Sequence, residues 1–216
     1  MLVRVLYLYG FASGPLSTKA QFFRKKFPIN VDFEIYDYNP DQESFTNMKS
    51  SSLLEDLHIY LEKYYSKGVI LFGSSFGGLL SLWYASQHPN NVNKLILMAP
   101  TLRFSASIIA KFFDPSDWKK EGFANILHFR YNKMVPLAYS FYQDILDNPP
   151  PDFYSLDLTI PTLIFHGKFD DIVPIIWSKE YAKANQYVIL RELEDDHQFT
   201  KEKEEIWRST KKFLGL

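Results

Sequence analysis

The 216-residue chain contains no cysteine. This absence excludes disulfide bonds, thiolate metal sites and a cysteine nucleophile, and it fits a reducing compartment. The chain also has little excess charge, with a formal net charge of −1 at pH 7. A balance so near neutral provides no basic surface for nucleic acid and no polybasic segment for an anionic membrane. We therefore expect no nucleic-acid partner.

Long hydrophobic runs are also missing at the start of the chain. The opening stretch MLVRVLYLYG is apolar, but Arg4 interrupts it and Gly10 ends it. A membrane span requires roughly 20 apolar residues, and a secretory signal requires a longer apolar run with a cleavage site. The sequence therefore predicts a cytoplasmic soluble protein with no membrane span. Its length and 46% hydrophobic content predict one domain, residues 1–216, with a sizeable core.

Short apolar runs alternate with helical patterns along the chain. Six runs predict strands, at Leu2–Tyr9, Val31–Tyr36, Val69–Phe72, Lys94–Ala99, Thr162–Gly167 and Tyr187–Leu193. The helical patterns lie at Ser17–Phe27, Leu53–Tyr64, Phe76–Gln87, Ile175–Ala184 and Lys201–Phe213. This alternation is typical of an α/β protein with about six mostly parallel strands and helices on both faces of the sheet.

A long segment interrupts this alternation between the fourth and fifth predicted strands. Residues 101–157 exceed the dozen or so residues that a crossover connection needs. Their composition is helix-like and is interrupted at Pro136. We therefore predict a helical insertion of two or three helices at residues 101–157, acting as a cap.

A serine motif lies between the third predicted strand and the helix that follows it. Residues 73–77, GSSFG, fit the pattern G-x-S-x-G with Ser75 at its centre. In this context the glycines permit a sharp turn that exposes a serine hydroxyl at the carboxyl edge of the sheet. The next backbone N–H, that of Phe76, begins a helix and can stabilise an oxyanion. Ser74 occupies the variable position of the motif, so Ser75 is the candidate nucleophile. A glycine-rich turn used only for packing is the alternative.

A serine nucleophile needs a histidine base. Of the five histidines, only His166 and His197 lie at the strand-end edge where Ser75 would be. His197 follows the last strand, which makes it the candidate base. His166 ends its strand, and we interpret it as a brace for the following loop.

The base in turn needs an orienting carboxylate. The loop HGKFDDIVP offers two, Asp170 and Asp171. Asp195 and Asp196 lie beside His197, but close neighbours along a chain rarely meet ring to carboxylate, and we interpret them as a solvated acidic turn. With either loop carboxylate the chain order is serine, acid, histidine, which is the order expected on this type of sheet.

Together these motifs resemble those of the α/β-hydrolase superfamily. The motifs are GSSFGG, HGKFDDIVP, DDHQF and the opening LYLYGFASGPLSTKA, which is similar to the LYLHGF-S-P-S-KA start of small single-domain bacterial serine esterases. The resemblance implies an α/β-hydrolase fold and a catalytic triad of Ser75, Asp170 and His197, with the acid at the fifth position of H-G-x-x-D-x-x-V-P. It also implies an oxyanion hole formed by the backbone N–H groups of Phe11 and Phe76.

The resemblance has two departures. Tyr9 stands where the family usually has a histidine before the glycine of the oxyanion loop. The first predicted strand already leads into that loop, without the usual antiparallel strands before it.

The reaction that the resemblance implies is hydrolysis of a small-molecule carboxylic ester or thioester through an acyl-enzyme, with no metal or organic cofactor. The alternatives are an amide or peptide hydrolase, an acyltransferase with the same triad, or a non-catalytic binding module, which Tyr9 favours.

Overall fold

A computed structural model describes residues 3–65 and 68–216. Within these residues the strands are β1 (Val3–Leu8), β2 (Val31–Ile35), β3 (Val69–Ser74), β4 (Val92–Met98), β5 (Phe123–His128), β6 (Lys133–Ala138), β7 (Thr162–Gly167) and β8 (Val188–Leu193). The helices are α1 (Thr18–Lys26), α2 (Gln42–Thr46), α3 (Ser50–Tyr64), α4 (Phe76–Gln87), α5 (Ala106–Ile109), α6 (Pro115–Glu121), α7 (Ser140–Asp147), α8 (Ile175–Ala184) and α9 (Lys203–Leu214). The predicted first residue of the first strand, Leu2, lies outside the described residues.

Six strands form one sheet in the order β2-β1-β3-β4-β7-β8, and every neighbouring pair is parallel. This confirms the prediction of a mostly parallel sheet flanked by helices. After β1 the chain proceeds outward to β2, whereas β3 and the later strands extend the sheet in the other direction. Ligands of such sheets bind at the carboxyl ends of the strands where the order reverses. Gly10 and Ser75 follow β1 and β3 at this point.

The strands in the middle of the sheet form the core. Every residue of β3 is buried, as are Val5–Leu8 of β1 and Leu95–Met98 of β4. Strands covered on both faces require continuous apolar sequence, and these runs supply it. Helix α4 packs on β1, β3 and β4 and is buried over most of its length. The turn between β3 and α4 therefore has a rigid base on both sides.

The insertion lies between β4 and β7, as predicted, but it is not wholly helical. It contains α5, α6 and α7 together with an antiparallel hairpin of β5 and β6, so the helical interpretation of residues 123–138 is wrong. Buried residues alternate along both strands, for example Ile126 in β5 and Val135 and Leu137 in β6. Pro136 lies within β6, which is an edge strand and tolerates a residue without an N–H.

Helix α3 begins at Ser50, three residues before the apolar pattern that predicted it. Asp144 of α7 accepts hydrogen bonds from the backbone N–H and the hydroxyl of Ser51, at 3.0 and 2.5 Å. This carboxylate satisfies a helix N-terminus from a distant part of the chain, so no local cap marks the start.

In the part of the chain that the structure describes, none of the helices has the length and apolar character needed to cross a bilayer.

Candidate active site

Ser75 lies in a strained turn between β3 and α4. Its backbone angles are φ 53° and ψ −114°, a conformation that typically costs about 1–3 kcal/mol in a residue other than glycine. The backbone N–H of Ser75 donates to the carbonyl of Met98 at 2.8 Å and so ties the turn to the end of β4. A Cβ on Gly73 or Gly77 would overlap neighbouring backbone carbonyls. The turn therefore requires the glycines of the motif on both sides of the serine.

Ser75 rather than Ser74 is accessible at this turn. Ser74 is the last residue of β3 and is 1% exposed, whereas Ser75 is partly exposed. The carbonyl of Ser75 accepts hydrogen bonds from the N–H groups of Leu79 (3.0 Å) and Thr101 (3.4 Å). These bonds fix the peptide plane that also carries the N–H of Phe76. In the described residues that N–H has no hydrogen-bond acceptor.

The loop after β1 approaches the same turn. A Cβ on Gly10 would lie 3.5 Å from the Cβ of Ser75. The hydroxyl of Tyr38 donates to the carbonyl of Gly10 at 3.1 Å. The next N–H, that of Phe11, has no acceptor among residues 3–65 and 68–216. The turns after β1 and β3 therefore each present a backbone N–H group without an acceptor, that of Phe11 and that of Phe76.

A buried carboxylate contacts His197 at this edge. The Nδ1 atom of His197 lies 2.8 Å from Oδ2 of Asp170, whose side chain is fully buried. The other carboxylate oxygen accepts from the N–H groups of Ile172 (2.9 Å) and Val173 (2.8 Å). Asp171 points outward and is exposed. The loop after β7 therefore presents Asp170, and not its neighbour, to the histidine.

Two histidines keep Asp170 ionised. Burial alone would raise the pKa of this carboxyl, but hydrogen bonds from His166 and His197 outweigh it and hold the pKa well below its usual range. The Nε2 atom of the fully buried His166 lies 3.3 Å from the carboxylate and 2.9 Å from the carbonyl of Val173. Its Nδ1 atom lies 2.7 Å from the hydroxyl of Ser178. His166 thus braces the loop after β7, as its position in the sequence predicted.

Backbone strain concentrates at this edge of the sheet. In the described part of the chain, the residues other than glycine with positive φ are Ala12, Ser75, Ala99, Asn132 and Phe199. Four of them lie in the loops that follow β1, β3, β4 and β8, and Asn132 lies in the β5–β6 turn. Strained residues cluster at functional sites, where the surrounding structure holds them in place.

The structure brings the predicted site residues together in part. Asp170 and His197 are joined directly, while Ser75 and Phe11 lie in the turns after β3 and β1 and Phe76 begins α4. No hydrogen bond joins Ser75 to His197 in the residues described. Within the same residues, no group of three histidine, aspartate or glutamate side chains is arranged to hold a metal ion.

Comparison with family models places the chain in a family. The model of an uncharacterised protein family, UPF0227, matches residues 4–214. The chain belongs to UPF0227. None of the curated protein sequences matches it significantly.

Solved structures share the fold of this UPF0227 protein. Est1E from Butyrivibrio proteoclasticus is 18% identical with a TM-score of 0.74, and the match covers 98% of this chain and 86% of Est1E. Alpha/beta hydrolase domain-containing protein 10 from mouse is 19% identical, with a TM-score of 0.75 and coverages of 98% and 89%. A monoacylglycerol lipase from Paleococcus ferrophilus is 15% identical, with a TM-score of 0.70 and coverages of 98% and 93%. This similarity shows the predicted α/β-hydrolase fold.

One prediction about the loop that carries His197 is wrong. Asp195 does not belong to a solvated acidic turn, because it is only 1% exposed. Its carboxylate accepts hydrogen bonds from the N–H groups of Lys201 (2.9 Å), Glu202 (2.8 Å) and Asp196 (2.9 Å). Asp195 therefore shapes the loop of this UPF0227 protein from within, whereas Asp196 is exposed.

Lys19 is a site residue that the sequence did not reveal, although it lies in the LSTKA stretch that carries part of the resemblance. Its Nζ donates to the carbonyl of His197 at 3.1 Å and lies over the ring of Phe199. Burial lowers the pKa of Lys19 to about 8, although the carboxylates of Asp170 and two neighbouring aspartates oppose the shift. This cation ties the start of α1 to the histidine loop.

We expect the stability of the wild type, relative to a Lys19→Met variant, to rise between pH 8 and pH 10.5. The unfolded chain holds the Lys19 proton more tightly than the folded protein does, so the free energy of unfolding increases with pH across this window. One pKa unit corresponds to about 1.4 kcal/mol, so the change is at most about 3.5 kcal/mol. Urea unfolding of both proteins across this range measures it. Parallel pH profiles would contradict the expectation.

Proposed function

We propose that this protein is a serine hydrolase that cleaves carboxylic ester or thioester bonds of small molecules. Ser75 is the nucleophile, His197 the general base and Asp170 the orienting acid, and the N–H groups of Phe11 and Phe76 form the oxyanion hole. The observation that supports this most is the buried hydrogen bond between Asp170 and His197. It joins two separate loops at the sheet edge that also carries the strained serine.

The proposed reaction has two halves. The Oγ of Ser75 attacks the carbonyl carbon and its proton passes to Nε2 of His197, while the oxyanion is held by two backbone N–H groups. His197 then gives this proton to the leaving oxygen or sulfur as the bond to the acyl carbon breaks. Water attacks the acyl-enzyme and gives a proton to His197. His197 then passes this proton to Oγ of Ser75 as the bond to the acyl carbon breaks, which releases the acid and restores the serine. The chain's own groups and water handle every proton, so the proposal invokes no cofactor.

Asp170 suits this cycle because it stays ionised. With its carboxylate on Nδ1, the proton of neutral His197 lies on that nitrogen and leaves Nε2 free to accept a proton. The carboxylate also stabilises the imidazolium that forms. The contact between Ser75 and His197 would form when substrate binds, since such catalytic hydrogen bonds are often long without ligand.

Aromatic side chains beside the oxyanion loop support an apolar acyl or aryl substrate. The ring of Phe11 lies 5.9 Å from those of Phe76 and Phe141, and the ring of Phe76 lies 5.6 Å from that of Phe104. Phe104 and Phe141 belong to the insertion, so we assign residues 101–157 the role of a cap whose aromatic side chains would border the bound acyl group. Est1E has been solved with ferulic acid bound, which agrees with an aryl acid on this fold.

A substrate panel tests the proposal. We expect turnover of p-nitrophenyl esters with short or medium acyl chains or of acyl-CoA thioesters, and little turnover of aminoacyl p-nitroanilides. Fast cleavage of the anilides without turnover of the esters would identify an amide hydrolase instead. A fluorophosphonate probe separates both from a binding module, because only an activated serine is labelled at neutral pH. A wild-type protein that stays unlabelled would overturn the proposal.

A further inference from the structure

The residue before the oxyanion loop, Tyr9, is held by a polar network of its own. Its hydroxyl donates to Oδ1 of Asp37 at 2.6 Å and accepts from the backbone N–H of Asn39 at 3.1 Å. Tyr9 is 1% exposed, and its ring stacks on that of Tyr38 at a centroid distance of 4.2 Å. Tyr9 is therefore fixed by residues 37–39, the segment that follows β2.

Arg130, in the turn between β5 and β6, holds the other side of that segment. Its Nη1 lies 3.2 and 3.0 Å from the two carboxylate oxygens of Asp37 and 3.0 Å from the carbonyl of Asn39. These two partners flank Tyr38 along the chain. The guanidinium thus bridges both ends of a three-residue segment, and the ion pair is about three-quarters buried.

The turn of the hairpin also touches the oxyanion loop directly. The N–H of Phe129 donates to the carbonyl of Ala12 at 2.8 Å. The side chain of Arg130 packs on Gly14, where an added Cβ would lie 2.9 Å from Cδ of the arginine. The insertion therefore contacts the loop through its backbone and through the arginine.

The segment that Arg130 holds determines the orientation of a peptide in the oxyanion loop. The hydroxyl of Tyr38 donates to the carbonyls of Tyr9 (3.0 Å) and Gly10 (3.1 Å). The carbonyl of Gly10 and the N–H of Phe11 belong to one planar trans peptide unit, so fixing the first sets the direction of the second. The geometry points to Arg130 as a positioning residue for hydrolysis, which fixes the oxyanion donor of Phe11 through Tyr38. This inference rests on the proposed function.

An Arg130→Met variant tests the inference, because it keeps the apolar stem over Gly14 and removes the guanidinium. Arg103→Met is the matched control: Arg103 is also an arginine of the insertion, but it pairs with Glu180. Active sites are first titrated to completion with a fluorophosphonate, and kcat and KM on a p-nitrophenyl ester are then expressed per titrated serine. Loss of an oxyanion donor costs about 10²–10³ in kcat, and misorienting one should cost less. We therefore expect a fall in kcat of roughly 10- to 100-fold for Arg130→Met, with KM within about 3-fold, and no such fall for Arg103→Met.

Two further variants make the test independent of folding. Tyr38→Phe removes only the hydroxyl that donates to the carbonyls of Tyr9 and Gly10, and it should lower kcat per titrated serine to a similar extent. Arg130→Lys keeps the charge and should restore part of the loss. If Arg130 acted on stability alone, its variants would show a smaller fraction of titratable protein and an unchanged kcat per titrated serine. That result would overturn the inference and leave the hydrolase proposal intact. A wild type that neither reacts with the probe nor turns over ester would overturn both.

Discussion

A Ser75→Ala variant is expected to lose ester turnover by roughly 10⁴- to 10⁶-fold and to lose fluorophosphonate labelling entirely. The hydroxyl is the protein group that forms a covalent bond to the acyl carbon in the proposed cycle, and removal of a triad serine elsewhere costs about this much. The positive φ at this position is held by the surrounding backbone bonds, which do not involve the hydroxyl, so the fold should persist. Initial rates, corrected for spontaneous hydrolysis, measure the loss.

Ser74→Ala is the matched control for this experiment. It removes a hydroxyl from the adjacent residue, which ends β3 and is 1% exposed. We expect Ser74→Ala to keep labelling and to change turnover by no more than a few-fold. If labelling were lost in Ser74→Ala and kept in Ser75→Ala, the nucleophile would be Ser74 and not Ser75. Thermal unfolding of both variants shows whether either change acts through stability.

The main sheet could be predicted because its strands carry continuous apolar sequence. Strands covered on both faces have no polar side, so residues such as those of β3 and β7 stand out between glycines and helical patterns. The β5–β6 hairpin could not be found this way. Its strands alternate between buried and exposed residues, and its exposed face carries large apolar residues such as Leu127 and Met134. This mixture hides the two-residue period and resembles the composition of a helix.

The sequence likewise predicts one part of the candidate site and not the other. Ser75, Asp170 and His197 lie in short motifs after strands, where local sequence and strand order predict their placement. In the structure, Asp170 contacts His197 directly. Lys19 and Arg130 could not be assigned roles, because their partners lie 178 and 91 residues away in the chain, at His197 and Asn39. Only the packing of the insertion and of α1 onto the loops brings these groups together.

An Asp170→Asn variant is expected to lower kcat by roughly 10⁴-fold with little change in KM. The amide can donate to Nδ1 of His197, which places the imidazole proton on Nε2, the atom that must accept a proton from Ser75. The neutral amide also fails to stabilise the imidazolium. Because hydrogen bonds hold the pKa of Asp170 well below its usual range, the carboxylate is charged at every pH where an ester assay is practical. The loss should therefore persist across the whole pH profile.

Asp171→Asn is the control that tests which carboxylate acts. Asp171 is adjacent in the chain and exposed, and it does not contact the histidines, so we expect turnover within about 3-fold of the wild type. Both variants remove one negative charge from the same loop, which cancels any general effect of net charge on the site. A larger loss in Asp171→Asn than in Asp170→Asn would mean that the loop rearranges in solution and presents the other carboxylate. Equal and large losses would assign the effect to the folding of the loop, because only one of the two side chains can reach Nδ1 of His197.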